Sequence, residues 1–234
     1  MAAVEKSGSG DYKDQMNSSL KYPLVVFDLD GTLVDGTIYI WKTLHETFET
    51  DADSRQKAYD GYFAGHITYE EWFANDLELL EQAGATRDRM IEVISDLEPM
   101  CGARETIDTL RDNGHTLAVI SGSLDIVLHQ IYGKDTFDYV LINRVIFNND
   151  GSLQGGVPTK YDLERKADGL VELCNKLGIS TSQAAFIGDN INDLDIAKKA
   201  GLSIAFNCKS PELSQVSHTE IKEKDLRAIL SLVN

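Results

Sequence analysis

Four short β-type runs, each ending abruptly in small or acidic residues, constrain this chain more than any other feature. Leu24-Val25-Val26-Phe27 runs into Asp28-Leu29-Asp30-Gly31, residues 116–120 run into Ser121-Gly122, residues 184–187 run into Gly188-Asp189, and a fourth run covers Leu202–Phe206. An apolar run of four or five residues bounded by turn residues marks a strand covered on both faces. Amphipathic segments lie between them: 103–112 stopping at Asn113-Gly114, 123–131, 162–177 stopping at Gly178, and 191–199 stopping at Gly201. Strands alternating with helices predict an α/β fold with a doubly wound parallel sheet. Residues 143–157, with Asn149-Asp150-Gly151 between β-type residues, predict a β-hairpin inside it.

The pattern is interrupted once. Residues 36–101 offer no buried strand and read as helices over 37–48, 54–63, 68–82 and 86–97. We expect an inserted all-helical cap domain over 36–101 and an α/β core over 21–35 and 102–234. Residues 1–20 are polar and read as a disordered tail; Ser-Gly-Ser-Gly-Asp-Tyr-Lys-Asp over 7–14 looks like a linker followed by part of an epitope tag. The tail lacks the apolar segment of a signal peptide. No apolar run approaches the roughly 20 residues of a membrane span. Cys101, Cys174 and Cys208 are widely separated, so a zinc knuckle or disulfide framework is not indicated. Reduced thiols and a cytoplasmic location are expected. With 22 basic and 38 acidic side chains the net charge is −16, which repels phosphate backbones and anionic lipids. Nucleic-acid and membrane binding are therefore not expected.

The chemistry-bearing residues fall at the strand ends. Asp28 and Asp30 stand two apart, a costly arrangement unless a cation or proton is shared. Ser121 and the Gly122 amide are placed to hold an anion at a helix N-terminus. Asp189 and Asp193, four apart, come together on a helix beginning near Asn190. Lys166 begins another helix. Taken singly, each has a plain alternative: a turn cap, a Ser N-cap, a solvated lysine, a first-turn acid. Jointly they converge where an open parallel sheet binds ligands, at the carboxyl ends of its strands. Hard oxygen ligands suit Mg²⁺. Mg²⁺ with one Lys and one Ser suits a phosphoryl group.

The motifs Asp-Leu-Asp-Gly-Thr, Ile-Ser-Gly-Ser, Lys166 and Gly-Asp-Asn-Ile-Asn-Asp, in this order, resemble the haloacid dehalogenase superfamily of phosphohydrolases. The cap between the first two motifs and the 23-residue step from Lys166 to Asp189 resemble its phosphoserine phosphatase family. The similarity runs from about Tyr22 to the C-terminus, including Gly102–Gly114, Asn143-Arg144, the Ala-Gly-Leu-Ser-Ile-Ala-Phe stretch ending at Phe206 and the Lys-Asp-Leu-Arg-Ala-Ile-Leu stretch ending at Leu230. The resemblance implies a Rossmann-like core and a Mg²⁺-dependent phosphatase acting on a small phosphorylated metabolite. Asp28 would be the nucleophile, forming an aspartyl-phosphate, and Asp30 the acid and base. Thr32, Ser121, Gly122 and Asn192 would hold phosphate, with Lys166 offsetting charge. Asp28, the Asp30 carbonyl and Asp189 would ligate the metal, with Asp193 supporting it from behind.

The cap departs from the relatives. Phosphoserine phosphatases grip the amino acid with a cap Glu and a cap Arg; ungapped matching puts Thr37 and Asp76 at those positions. A carboxylate cannot replace a guanidinium that binds a carboxylate. Residues 36–104 hold 14 acidic against six basic side chains, hence −8, and nine of the 19 aromatics. Most of these aromatics are expected in the cap core, with Tyr39, Tyr69 or Trp72 facing the leaving group. The expectation is a phosphomonoester other than phosphoserine, with a neutral, cationic or partly apolar leaving group. The alternatives are phosphoserine phosphatase of L-serine biosynthesis, a phosphoacceptor signalling module and a catalytically silent binding protein of this fold. An acceptor that keeps its phosphate has no use for Asp30 or for a cap of some sixty residues. Monomer and homodimer both remain open.

Overall fold

The computed structural model describes residues 20–233; the tail expected over 1–20, with its tag-like stretch, lies outside the described residues except for Leu20. The chain opens on β1 (Leu24–Phe27) and β2 (Val34–Asp35), then four helices: α1 (Ile40–Thr47), α2 (Ala52–Phe63), α3 (Tyr69–Gln82) and α4 (Arg87–Ser95). β3 (Glu98–Pro99) follows and pairs antiparallel with β2, so a two-stranded ribbon closes the ends of the helical insertion. The rest is α5 (Ala103–Asp112), β4 (Thr116–Leu124), α6 (Asp125–Tyr132), β5 (Tyr139–Phe147), β6 (Leu153–Val157), α7 (Lys166–Leu177), β7 (Ala184–Gly188), α8 (Leu194–Lys199), β8 (Leu202–Phe206), α9 (Pro211–Val216), β9 (Thr219–Ile221) and α10 (Leu230–Val233).

The main sheet has the order β6-β5-β4-β1-β7-β8-β9. All its pairings are parallel except β5 with β6, the predicted hairpin, whose turn carries Asn149-Asp150-Gly151. β1 is central and buried throughout, and its side chains alternate between two cores. Val25 and Phe27 join the cluster that includes Leu44, Leu80, Met90 and Ile94 of the inserted helices. Leu24 and Val26 join the opposite cluster with Leu170, Leu173 and Ile196. That is why the run reads as continuously apolar rather than alternating. The insertion thus shares one apolar core with the sheet.

Three of the four inserted helices start where the sequence supplies side-chain caps. Asp51, Thr68 and Thr86 each accept a backbone N–H in the first turn, and Thr68 with Glu71 forms a reciprocal capping box. Three expectations need correction. The segment predicted as helix from residue 123 remains extended through Leu124, and α6 begins only at Asp125. The hydroxyl of Ser121 accepts from the Ser123 amide, and the ladder between β4 and β5 shifts register across Ile120–Leu124. Ser121 and Gly122 therefore lie on an irregular strand, not at a helix N-terminus. Residues 163–165 and 191–193 form single 3₁₀ turns ahead of α7 and α8. The pairs β2–β3 and the short edge strand β9 were not predicted, since two or three residues carry no periodicity. Among the described residues, no helix is long and apolar enough to cross a membrane.

Candidate active site

The site is built at the carboxyl edge of β1, β4 and β7. The Asp28 amide donates to the carbonyl of Ile187 at 2.9 Å, extending the β1–β7 ladder and fixing where its carboxylate emerges. The chain then turns back, the amides of Leu33 and Val34 both donating to the Leu29 carbonyl at 2.9 Å. Gly31 occupies the left-handed region at φ 77°, and a Cβ there would come within 2.3 Å of the Asp189 carboxylate. Glycine is required on both counts. Asp30 is held from two sides: Oδ2 accepts the amide of Ile40, the first residue of α1, at 2.8 Å, and Oδ1 accepts the Ser123 hydroxyl at 2.9 Å. Burial, reinforced by the neighbouring Asp28, raises the Asp30 carboxyl to about 7 despite these hydrogen bonds.

Behind Asp28, the buried carboxylates of Asp28, Asp189 and Asp193 each place an oxygen within 4.8 Å of the others. Lys166 Nζ, fully buried, donates to Asp28 Oδ1 at 2.9 Å and to Asp193 Oδ1 at 2.7 Å. Burial opposes its charge, but Asp193, Asp28 and Asp162 outweigh it and hold the ammonium above its usual range. The second oxygen of Asp193 accepts the amides of Asp189 at 3.0 Å and Asn190 at 3.3 Å. Both Asp193 oxygens are therefore engaged by the protein. Asp189 pairs with Lys209. Burial and the charges of Asp28 and Asp193 still push the Asp189 carboxyl to about 8. Burial lifts Asp193 to about 6, with Lys166 opposing. Such a set of hard oxygens, destabilised by its own charge, suits a divalent cation that wants oxygen ligands.

A cavity of about 300 Å³ opens in front of Asp28 and Asp30. Ser121, Gly122 and Asn192 lie on its wall. Asn192 Oδ1 and the fully buried Thr32 Oγ1 have no hydrogen-bond partner among the described residues. Of the cap residues singled out by sequence, Tyr39, Tyr69, Trp72 and Asp76 line the cavity. Thr37 is not among the lining residues; its hydroxyl is paired with that of Thr43 at 2.8 Å. The sequence placed most cap aromatics in a core, yet Trp41, Tyr59, Phe63 and Phe73 line the cavity as well. The cap is tied down by its rings: Trp41 Nε1 donates to the Gly122 carbonyl at 2.9 Å, Tyr69 Oη to Asp162 at 2.8 Å, and Asn190 Nδ2 to Tyr39 Oη at 2.8 Å.

Several site residues escaped the sequence reading. Lys209 lies just beyond β8, so the strand-end logic that found Asp189 could have found it. Ser123 closes the Ile-Ser-Gly-Ser motif, and nothing in the sequence marks it as a partner of Asp30. Asp162 was read only as a helix start; its carboxyl, raised by burial, packs where a Cβ on Gly122 would clash at 2.2 Å. Asn143 bridges three partners, donating to the Gly122 carbonyl at 2.7 Å and to Tyr69 Oη at 3.0 Å and accepting the Thr159 amide at 2.7 Å. Arg55 lines the cavity with Nε 4.0 Å from Asp76 Oδ1, and no sequence signal marked it. His45 Nε2 stands 3.6 Å from the same oxygen.

Comparison with known proteins agrees with this geometry. The model of the haloacid dehalogenase-like hydrolases matches residues 22–201. A phosphoserine phosphatase of Methanocaldococcus jannaschii is 32% identical, the match covering 91% of this chain and 98% of the relative. One from Mycobacterium tuberculosis is 30% identical over 90% of this chain, which spans only 50% of that protein's length. A solved structure of a phosphoserine phosphatase phospho-aspartyl intermediate analogue superposes with a TM-score of 0.72 at 29% identity, covering 91% of this chain and 99% of that one. With its acidic strand ends and helical insertion, the chain belongs to the haloacid dehalogenase-like hydrolases, and among them it is a phosphatase.

Proposed function

We propose that the chain hydrolyses the phosphomonoester of a small metabolite, that its metal is Mg²⁺, and that the phosphoryl group is carried transiently on Asp28. The observation that carries this reading is the joint placement of Asp28 against Lys166 at 2.9 Å and of Asp30, with a carboxyl near 7, on the same cavity. Asp28 and Asp189, with the Asp30 carbonyl, would hold Mg²⁺, and Asp193 would orient the set, its own oxygens being spent on Lys166 and two amides. The metal, when bound, supplies positive charge opposite the phosphoryl oxygens.

An Asp28 oxygen attacks phosphorus as the ester P–O bond breaks, and the proton on Asp30 passes to the departing alkoxide. Asp30, now ionised, takes a proton from water; the water oxygen attacks phosphorus and the bond to Asp28 breaks, releasing phosphate. A carboxyl near 7 serves both halves, since it gives and takes a proton with little penalty at neutral pH. Thr32, Ser121, the Gly122 amide and Asn192 hold the phosphoryl oxygens, and Lys166 offsets charge between them and Asp28. The insertion over 36–101 acts as the cap that selects the leaving group and screens the cavity from bulk water, admitting the one molecule that Asp30 activates.

A second reading, phosphoserine as the substrate, is favoured by the names of the relatives and by Arg55, a cavity cation where sequence matching offered only Asp76. The test of the function is phosphate release from p-nitrophenyl phosphate. Turnover is expected with Mg²⁺ and its loss with a chelator, restored by excess Mg²⁺. Turnover that survives exhaustive chelation would overturn the metal assignment.

A further inference from the structure

Resting on the phosphatase reading above, we propose that the preferred leaving group is an alcohol with a flat aromatic body, seated on the ring surface of α2 and α3. The helix α2 buries only Ala58, so its aromatics are not held there by a core. Tyr59 and Phe63 line the cavity while 45% and 56% exposed. Large rings left wet on a cavity wall gain most when a guest covers them.

Trp72 stands edge-on to Tyr59 at 5.7 Å and to Tyr69 and Phe63 at 6.1 Å each. Edge and face contacts of this kind are what an aromatic guest extends. Trp72 Nε1 and Arg55 Nε are buried donors without a hydrogen-bond partner among the described residues, so the same wall accepts a guest with an acceptor at its rim. A short polar chain is disfavoured by size. The roughly 300 Å³ equal about ten waters, and a phosphoryl group takes only a few of those.

Benzyl phosphate and methyl phosphate release alcohols of nearly equal acidity, so the ratio of their kcat/KM values reads the cavity rather than the chemistry. We expect a ratio of about tenfold or more in favour of benzyl, exceeding phosphoserine as well. Phe63→Ala and Tyr59→Ala, both at exposed positions, are expected to cut that ratio at least about threefold, mainly through KM. A ratio near one, a ratio unmoved by both variants, or phosphoserine preferred over benzyl phosphate would each overturn the proposal. If no ester is turned over, the phosphatase reading fails, and calorimetry with Mg²⁺ still decides the ring surface. Benzylphosphonate binding about tenfold tighter than methylphosphonate supports it, and equal affinities sink it.

Discussion

The charges buried at the strand ends and those buried in the cap are treated differently. Lys166 is wholly buried yet satisfied by Asp28 and Asp193, whose remaining oxygens are largely engaged or face the cavity. In the cap, His45 Nε2 and Arg55 Nε stand 3.6 and 4.0 Å from Asp76 Oδ1, loose contacts in which none of the three atoms makes a hydrogen bond among the described residues. Burial holds Asp76 up at about 6 and, with Arg55 adding to it, His45 down at about 3. A fully hydrogen-bonded buried network tolerates little change, whereas loosely matched groups have less to lose.

Four substitutions sharpen or break that contrast. The largest effect is expected from Asp28→Asn, which should lower kcat by a factor of about 10³ or more while leaving the fold intact, since the proposed nucleophile and metal ligand are lost together. Near-normal phosphate release by this variant would end the covalent mechanism. Next, Lys166→Met strands two buried carboxylates and should cost about 3–5 kcal/mol of stability in urea unfolding. Asp76→Asn, acting on an oxygen that makes only loose contacts with Arg55 and His45 and no hydrogen bond, should cost under about 1 kcal/mol. If the two costs came out equal, the distinction between paired core and unpaired cap would be wrong.

The fourth expected effect is pH-dependent. Unfolded His45 takes its proton near 6.5, but folded His45 only near 3. The wild type therefore loses stability from this group as pH falls through 6.5. His45→Gln lacks that loss, so its stability deficit should shrink by no more than about 2 kcal/mol between pH 7 and 5. Asp76, raised to about 6, works in the opposite sense. Its folded form takes a proton first, so it adds stability as pH falls through 6 in both proteins. A deficit that widens toward pH 5 would contradict the burial of a neutral His45.

Much of the candidate site was legible because the strands that build it are local. Asp28, Ser121 and Asp189 each follow a run whose apolar length marks a covered strand, and parallel topology sends all of those ends to one edge. Lys166 was legible only through the family resemblance, in which its 23-residue step to Asp189 takes part. The error at Ser121 and Gly122 has a local cause. A Ser-Gly-Ser segment looks like a cap, but pairing with β5 keeps it extended until Leu124. The cap was legible as helices and not as a wall. Its nine aromatics look alike in sequence, yet Phe48 and Phe73 are buried while Tyr39, Tyr59 and Phe63 are exposed.

By itself, then, the sequence determined the α/β core, the helical insertion and the acidic residues at the strand ends. Short-range periodicity, turn chemistry and the carboxyl-end rule act within a few residues or follow from chain order. Only the tertiary structure decided that Lys166 sits between Asp28 and Asp193, that Lys209 reaches Asp189, and that Arg55 and seven aromatic rings face one cavity. Those placements depend on how separately coded helices pack on the sheet, and side-chain packing across distant elements leaves no period in the chain.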